Sequence, residues 1–475
     1  MTKNMTAGNP AKLLLFFTLP VIMGNILQQL YSVTDTLIVG QTIGVDALAA
    51  VGATGVIVSL PLCFIEGLTT GFAVVVGQRF GAQDEEGVRR SAATSLLLCL
   101  LLTMLLTSVT VAVSRPVLRL MNTPPNIFEE ANRYLTAIFI GTGATVFYNM
   151  LSNVIRALGD SRTPLIFLGV AAAANVGLDL LFILVFHMGV AGAAWATVLA
   201  QLLSAVLCLL FVRRRFPILR LSRRDFCITW QDAFRQLRIG FPMGFQMSVM
   251  CIGLLIVQAV LNGFGSDAVA AFTAASKVDQ LAVQVGGSFG IAISAYVAQN
   301  YGAGNFRRIR RGVNCCLFQA AVGSVILGAL ILTCGQWIAQ LFIKGDHPEI
   351  LAMTRMFFYI VVPFYVLVNV LIIYRSTLQS MGRTLFPLLA CVVELIMRAF
   401  AALVFGRLWG YAGVCFATPL AWTGAAILLF IGYRLVMRRL PSGDAGEDEK
   451  LPAVEICKEV GAENTGQTAD EVSVL

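Results

Sequence analysis

The sequence predicts an all-α polytopic membrane protein with twelve transmembrane helices, arranged as two six-helix lobes that a parallel internal repeat relates. Composition is the first observation: of 475 residues, 57% are hydrophobic and only 13% are charged. Soluble domains are about one quarter charged, so this chain has too little charge to cover a surface in water. The second observation is a series of long apolar stretches, and the third is that the two halves share motifs.

The apolar stretches define the spans. Each holds roughly 20 residues, enough for a helix to cross about 30 Å of hydrocarbon. Backbone groups find no water in lipid, so spanning segments are helices or closed barrels, and continuous apolar runs exclude the alternating strands of a barrel. The first span begins directly after Lys12 and is predicted to be an uncleaved anchor. The twelve predicted spans are residues 13–38, 47–76, 92–114, 131–152, 164–186, 189–211, 237–262, 268–298, 313–334, 351–375, 386–406 and 410–434.

The basic residues predict the orientation. Connections that follow even-numbered spans lie on the same face as both termini, and the other connections lie on the opposite face. Of the 34 Lys and Arg, 24 fall on the face of the termini, including Arg375 at the end of the tenth span, and six fall on the opposite face. Cytoplasmic loops carry an excess of Lys and Arg, so we expect a cell-membrane protein with both termini in the cytoplasm.

An internal repeat divides the chain. The stretch Val76-Gly-Gln-Arg-Phe-Gly-Ala82 returns as Val297-Ala-Gln-Asn-Tyr-Gly-Ala303, and Pro20 and Pro164 return as Pro242 and Pro387. Six spans per half is an even number, so both halves enter the membrane in the same direction, as in alternating-access transporters that bind substrate between halves. The predicted units are an amino-terminal lobe (1–211), a cytoplasmic interlobe loop (212–236), a carboxy-terminal lobe (237–440) and a disordered acidic cytoplasmic tail (441–475).

Charged residues inside spans mark candidate sites, because each costs about 2.5–3.5 kcal/mol on insertion scales. Asp35 lies in the outer part of the first span, and Asp179 lies at similar depth in the fifth. Asn175 is four residues before Asp179 and therefore on the same helix face. Carboxylate and amide oxygens suit Na⁺, and a desolvated carboxyl pair suits a proton. The residues alone leave the choice between H⁺ and Na⁺ open.

A second group of residues is expected to line a substrate cavity between the lobes. Aromatic rings there would bind flat cations through burial and cation–π contacts. Glu394 and Arg398 have the spacing of an ion pair within one helix, and Glu66 is a further acidic residue inside a span. The candidate cavity residues are Gln28, Tyr31, Phe147, Tyr148, Lys277, Asp279, Phe289, Tyr365, Glu394 and Arg398.

Several protein classes are excluded by missing motifs. The chain has no GxxxxGK[ST] motif, so we expect no ATPase activity and no ATPase subunit. Its 11 cysteines form no CxxC pair, and its two histidines are isolated, which argues against a metal centre of that kind. The sequence shows no Ser/His/Asp or Cys/His set of the kind that would indicate an enzyme. The basic residues lie in short loops without interleaved aromatics, so no nucleic-acid partner and no cofactor are expected.

The sequence resembles the prokaryotic branch of the multidrug and toxic compound extrusion (MATE) family over about residues 12–437. The resemblance rests on Leu19-Pro20, Asp35-Thr-Leu-Ile-Val-Gly40, Ala47-Leu-Ala-Ala-Val-Gly52, Gly77-Gln-Arg-Phe-Gly-Ala82 and Arg156-Ala-Leu-Gly-Asp160 with Pro164. It implies two lobes forming a V, alternating access, and an antiporter that exports small organic cations across the lipid bilayer in exchange for H⁺ or Na⁺.

The resemblance also implies a coupling site in the amino-terminal lobe. Matched position by position, that site comprises Asp35, Asn175, Asp179 and Thr197, with Asn149 in addition. If Na⁺ is the coupling ion, the first four residues would hold it. Some members of the family carry acidic residues in the seventh and tenth spans; this chain has none there.

Two other classes remain as alternatives. A flippase for lipids or lipid-linked sugars would share the architecture, but its cleft should be strongly basic, and only Lys277 and Arg398 are cationic away from the ends of the predicted spans. A channel or a scaffold without transport activity is the other alternative. A scaffold would tolerate neutral residues at Asp35 and Asp179, and a channel would pass ions without a coupled substrate.

Overall fold

The computed structural model describes residues 4–43, 45–121, 123–340 and 348–441. Sixteen helices are described within these ranges, and short π-helical or 3₁₀ segments join some of them. The predicted tail lies outside the described residues beyond position 441. The helices are α1 Pro10–Thr42, α2 Val45–Gly81, α3 Glu85–Leu120, α4 Pro125–Ile140, α5 Thr142–Ala157, α6 Arg162–Leu180, α7 Gly189–Arg215, α8 Trp230–Leu261, α9 Ser266–Gly302, α10 Phe306–Gln340, α11 Pro348–Val361, α12 Tyr365–Ser380, α13 Leu385–Phe400, α14 Gly406–Trp409, α15 Tyr411–Cys415 and α16 Ala417–Arg439.

The number of membrane spans agrees with the sequence. Among the described residues, eleven helical segments are long and apolar enough to cross a membrane. A twelfth span is formed by α4 and α5 together, which meet at a bend of 43°. The break lies at Gly141, whose neighbour Val198 on α7 leaves no room for a side chain at that position. The predicted fourth span is therefore one crossing made of two helices.

The helices form two lobes. In the amino-terminal lobe, α2 packs against α3, α4 and α5, and α7 packs against α4, α5 and α6. In the carboxy-terminal lobe, α9 packs against α10, α11 and α12, and α16 packs against α12 and α13. The two-lobe arrangement thus agrees with the repeat in the sequence. Residues 216–229 connect the lobes, inside the predicted interlobe segment.

Close helix crossings join the lobes. The glycine pair Gly67 and Gly71 lets α2 approach the backbone of α8 so closely that a β-carbon at either glycine would overlap Met243 or Gly240. Small residues at four-residue spacing allow such approach in membrane proteins. Helix α1 also bridges the lobes, because it packs on α6 of one lobe and on α9 and α10 of the other.

The outer surface is apolar, as lipid requires. Large hydrophobic side chains stay exposed along the helices that form the outside of the bundle, for example Leu101, Met104 and Leu105 on α3 and Val325 and Ile326 on α10. A soluble protein would bury such a stripe, whereas lipid tails are as apolar as these side chains.

Candidate functional site

The two carboxyl groups predicted from the sequence meet in the amino-terminal lobe. Asp35 on α1 and Asp179 on α6 lie close enough for their carboxyl groups to interact directly. Asp179 is completely buried, and Asp35 is partly buried. One oxygen of each carboxyl group, Oδ1, is buried without a hydrogen-bond partner. Two acceptor groups this close repel each other unless a proton or a cation lies between them.

A polar shell surrounds the carboxyl pair. The Asn175 amide lies between Asp179 and Thr197. With its nitrogen toward Asp179, the amide donates to Asp179 Oδ2 at 2.9 Å, and its oxygen accepts from the Thr197 backbone N–H at 3.3 Å. The Tyr31 hydroxyl donates to Thr197 Oγ1 at 3.5 Å. Four of the predicted residues, on α1, α6 and α7, are thus brought together with Tyr31.

Two other predicted residues of this lobe are placed differently: Asn149, predicted for the coupling site, and Gln28, predicted for the substrate cavity. Asn149 lies on α5, and its side chain has no hydrogen-bond partner in the described part of the chain. Gln28 is exposed on α1. A residue that sequence reasoning missed, Tyr134 on α4, lies near enough for electrostatic interaction with Asp35 and Asp179. No motif or repeat marks Tyr134 in the sequence.

The predicted aromatic residues of the cavity lie largely inside the lobes. Tyr148, Phe289 and Tyr365 are buried, with at most 6% of each residue exposed. The Tyr148 hydroxyl donates to the Pro164 carbonyl at 3.1 Å, and Phe147 packs on the amino-lobe core. That these aromatic residues line a substrate cavity stays a prediction.

Asp279 has a partner in the carboxy-terminal lobe. The Tyr365 hydroxyl on α12 donates to Asp279 Oδ1 on α9 at 2.9 Å. Lys277, two residues earlier, is exposed. The two predicted cavity residues of α9 are therefore not equivalent, because Asp279 has a side-chain partner and Lys277 is exposed.

The ion pair predicted between Glu394 and Arg398 exists and has a third member. Arg398 Nη2 lies 2.9 Å from Glu394 Oε1, and Arg375 Nη2 lies 2.7 Å from Glu394 Oε2. All three side chains are at most 9% exposed. The assignment of Arg375 to the cytoplasmic face was wrong: it is buried in α12, because Glu394 on the neighbouring α13 supplies its counter-charge.

The repeated Gln and Gly residues join the lobes at the face that carries the described start of the chain. Gln78 Nε2, near the end of α2, donates to the Ser380 carbonyl at 2.8 Å. Its repeat mate Gln299, near the end of α9, donates to the Ala157 carbonyl at 2.8 Å. Each bond crosses from one lobe to the last residue of a helix in the other lobe. The two bonds are related by the internal repeat.

Two further features tighten this face. A β-carbon at Gly81 would overlap the Gln299 carbonyl, and one at Gly302 would overlap the Gln78 carbonyl. The buried Met5 donates its backbone N–H to Gln299 Oε1 at 2.8 Å. The lobes are therefore closed against each other at this face, and the segment before α1 is part of the closure.

These observations define a two-lobed polytopic membrane protein with a buried carboxyl pair in one lobe and an interlobe closure at one face. The MatE family model matches residues 20–181 and again residues 242–404, once in each lobe. The chain therefore belongs to the MatE family, which confirms the resemblance seen in the sequence. Members of this family are transporters and not enzymes.

Curated relatives cover nearly the whole chain. The probable multidrug resistance protein YpnP of Bacillus subtilis (strain 168) is 28% identical over 436 residues, which is 91% of this chain and 96% of that protein. A protein named FAD transporter, from Shewanella oneidensis, is 24% identical over 421 residues, which is 86% of this chain and 91% of that protein.

Solved structures share the fold. One is described as the outward-facing conformation of a multidrug resistance MATE family transporter; it is 24% identical, has a TM-score of 0.86, and the match covers 93% of this chain and 99% of that one. A transporter of the MOP superfamily from Pyrococcus furiosus is 23% identical with a TM-score of 0.86, and the match covers 92% of this chain and 98% of that one. These likenesses support the architecture alone.

Proposed function

We propose that this protein is a multidrug efflux antiporter that exports organic cations in exchange for H⁺ or Na⁺ by alternating access. Membership of the MatE family and the names of the multidrug resistance relatives support the efflux function. The observation that carries the coupling mechanism is the buried contact between Asp35 and Asp179.

The carboxyl pair is suited to bind a coupling cation. Each of the two groups keeps one buried oxygen without a partner, and buried polar atoms without partners are costly. A proton shared between the groups, or a Na⁺ held by their oxygens, would satisfy both. For Na⁺, the Thr197 hydroxyl offers a further oxygen ligand of the kind that hard cations prefer, and the Asn175 amide orients Asp179.

The contacts between the lobes support alternating access. The closure formed by Gln78 and Gln299 lies at the ends of α2 and α9, whereas Asp35 lies near the opposite end of α1. This arrangement corresponds to a state closed at the face opposite to Asp35. Cation binding and substrate binding are coupled if they favour different states, and no direct contact between the two ligands is required.

We place both termini in the cytoplasm of a cell-membrane protein. The support is the excess of Lys and Arg on that face, which still holds when the buried Arg375 is removed from the count. The Gln78–Gln299 closure is then cytoplasmic, and the state described is closed toward the cytoplasm. The flippase alternative is less favoured, because relatives over the full length are named as multidrug resistance proteins.

The test is transport by the purified full-length protein in proteoliposomes. Ethidium serves as the fluorescent cation, and a pH gradient and a Na⁺ gradient are imposed separately. We expect one gradient to drive transport in the wild type, and we expect Asp35→Asn and Asp179→Asn to abolish it. The matched control is Glu129→Gln, which neutralises an exposed acid paired with Arg115 on the surface.

The outcomes separate the alternatives. Loss of transport in the two aspartate variants with full activity in the control identifies the coupling site and the coupling ion. Wild-type transport by Asp35→Asn would remove the carboxyl pair from the mechanism. Transport that needs neither gradient would contradict antiport and would favour a channel.

A further inference from the structure

The triad Arg375, Glu394 and Arg398 has an unbalanced charge. Two guanidinium groups share one carboxylate, so the group carries a net charge of plus one inside the membrane-spanning bundle. Among the described residues, no second acidic side chain pairs with either arginine within 4 Å. A buried charge without a partner is unfavourable in a low-dielectric interior, so an unbalanced buried charge marks a candidate site for a ligand of the opposite charge.

Arg398 is the member with free hydrogen-bonding capacity. Glu394 receives one bond from each arginine, and the amide oxygen of Gln246, turned toward Arg375, accepts from Arg375 Nε at 3.1 Å. Arg398 is only 4% exposed, and its Nε is buried without a partner. A guanidinium group is a planar donor that matches carboxylate and phosphate oxygens.

The triad occupies the counterpart of the amino-lobe carboxyl site. Pro164 and Pro387 are repeat mates, and the same separation along the chain makes Arg398 the repeat mate of Asn175. In the same way, the separation between Pro20 and Pro242 makes Gly253 the repeat mate of Tyr31.

The contact between the helices is also equivalent in the two lobes. Arg398 Nη1 would lie 2.8 Å from a β-carbon at Gly253, so the guanidinium group rests against the α8 backbone where that helix has no side chain. Helix α8 is the one that packs on α2 at the lobe interface. One lobe thus presents carboxylates, and the other presents a guanidinium group, at equivalent places beside the interface.

We propose that the carboxy-terminal lobe contains an oxyanion site centred on Arg398, which binds a carboxylate or phosphate group of the transported molecule. This inference rests on the proposed transport function and narrows its substrate class. The preferred substrates are then zwitterions, whose anionic part binds at Arg398. Simple cations remain substrates of lower affinity.

The probe is a matched pair of dyes. Tetramethylrhodamine carries a free carboxylate and is a zwitterion, whereas its methyl ester is a simple cation with the same ring system. Binding to the purified full-length protein in nanodiscs is measured by fluorescence anisotropy, and transport is measured in proteoliposomes. Binding does not depend on a gradient, so failure of the coupling mechanism and failure of the oxyanion site are distinguishable.

Two variants test whether the positive charge of Arg398 is responsible for the preference. We expect the wild type to bind the free acid more tightly than the ester, and Arg398→Gln to weaken binding of the free acid about tenfold or more, the effect of losing a hydrogen bond to a charged group. The ester should bind Arg398→Gln and the wild type equally. Arg398→Lys keeps the positive charge and should retain most of the preference. Thermal unfolding of each variant verifies that the lobe is folded.

The contrary results are specific. Equal affinity of the wild type for both dyes, or an equal loss for both dyes in Arg398→Gln, would overturn the proposal. Dodecyl maltoside micelles, which contain no oxyanion, and nanodiscs of phosphatidylglycerol separate the two sources of an oxyanion. A preference that is the same in both assigns the site to the transported molecule, and a preference lost only in phosphatidylglycerol would assign it to a lipid headgroup and overturn the substrate assignment.

Discussion

At the scale of single residues, the position of Asn175 determines how the coupling site is assembled. Its amide reaches Asp179 on its own helix and the Thr197 backbone on α7 at the same time. The amide therefore fixes the orientation of one carboxyl group and ties two helices together. Such supporting contacts set ligand geometry even where they do not touch the ion.

The first prediction concerns this amide. Asn175→Leu keeps the side-chain volume and removes both hydrogen bonds. We expect the concentration of coupling ion at half-maximal transport to rise about tenfold, as is common when a supporting partner of a cation ligand is lost. Transport at saturating coupling ion measures whether the cycle itself is intact. Asn262→Leu, which removes an exposed amide at the end of α8, is the control; equal ion dependence in both variants would contradict the prediction.

The sequence predicted the acidic residues of the site better than its other members. Asp35 and Asp179 stand out because a carboxylate in an apolar span is rare, and Asn175 follows from its spacing to Asp179. Tyr134 was not foreseen, because a tyrosine in an apolar helix is ordinary. Arg375 was misplaced, because its counter-charge lies on another helix and is separated by 19 positions in the chain.

At the scale of helices and connections, the interlobe connection has defined structure. Ser222 and Asp225 form a reciprocal cap on the short turn Arg223–Phe226. The backbone N–H of Ser222 donates to Asp225 Oδ2 at 2.6 Å, and its hydroxyl donates at 2.7 Å. These bonds hold the pKa of Asp225 below its ordinary value. Arg89 on α3 lies 3.9 Å from the same carboxylate, so the turn is anchored to the amino-terminal lobe.

The second prediction is the pH dependence of this turn. Since the pKa of Asp225 is lower in the folded turn, its stabilising contribution is complete above the ordinary aspartate pKa of about 4 and is lost as the pH falls through the lower folded value. We expect amide protection factors of residues 222–226 to be constant from neutral pH to about pH 5 and to fall in stronger acid. Hydrogen–deuterium exchange measures them, with correction for intrinsic exchange.

A variant provides the comparison. Asp225→Asn should lose this protection already at neutral pH, while Glu129→Gln should behave as the wild type. Wild-type protection in Asp225→Asn at neutral pH would show that the carboxylate does not hold the turn.

Helix interruptions were the least predictable part of the fold. Two π-helical segments, Leu181–Val185 and Ala401–Phe405, follow α6 and α13 at equivalent places in the two lobes. Both lie in uniformly apolar sequence, where hydropathy gives the span but not its hydrogen-bond register. The segment Leu181–Val185 follows Asp179 directly, and π-segments are frequent at functional sites.

At the scale of the whole molecule, duplication explains the architecture and divergence explains the chemistry. The repeat indicates the number of spans per lobe, their direction and the correspondence of Gln78 with Gln299, and all of these could be anticipated from spaced motifs. The opposite charges of the two lobes were visible as residue types, but their burial and partners depend on packing between helices. Such contacts between distant positions leave no periodic signal in one sequence.

The relative motion of the lobes can be tested with a native cysteine pair. Cys63 on α2 and Cys251 on α8 belong to different lobes, and their sulfur atoms lie 3.1 Å apart. Oxidation to a disulfide would join the lobes beside the glycine crossing at Gly67 and Met243. If alternating access separates or slides these helices, the crosslink should hold the transporter in one state.

The last prediction is therefore that catalytic oxidation with copper phenanthroline stops ethidium transport and that reduction with dithiothreitol restores it. Cleavage in the arginine-rich connection between the lobes, followed by non-reducing electrophoresis, shows the fraction of molecules in which the lobes are joined. Cys63→Ser is the control and should keep its transport activity after the same treatment, because the remaining cysteines are unchanged. Full transport by quantitatively crosslinked wild-type protein would mean that α2 and α8 move as one body, and the motion would then have to occur between other helices of the two lobes.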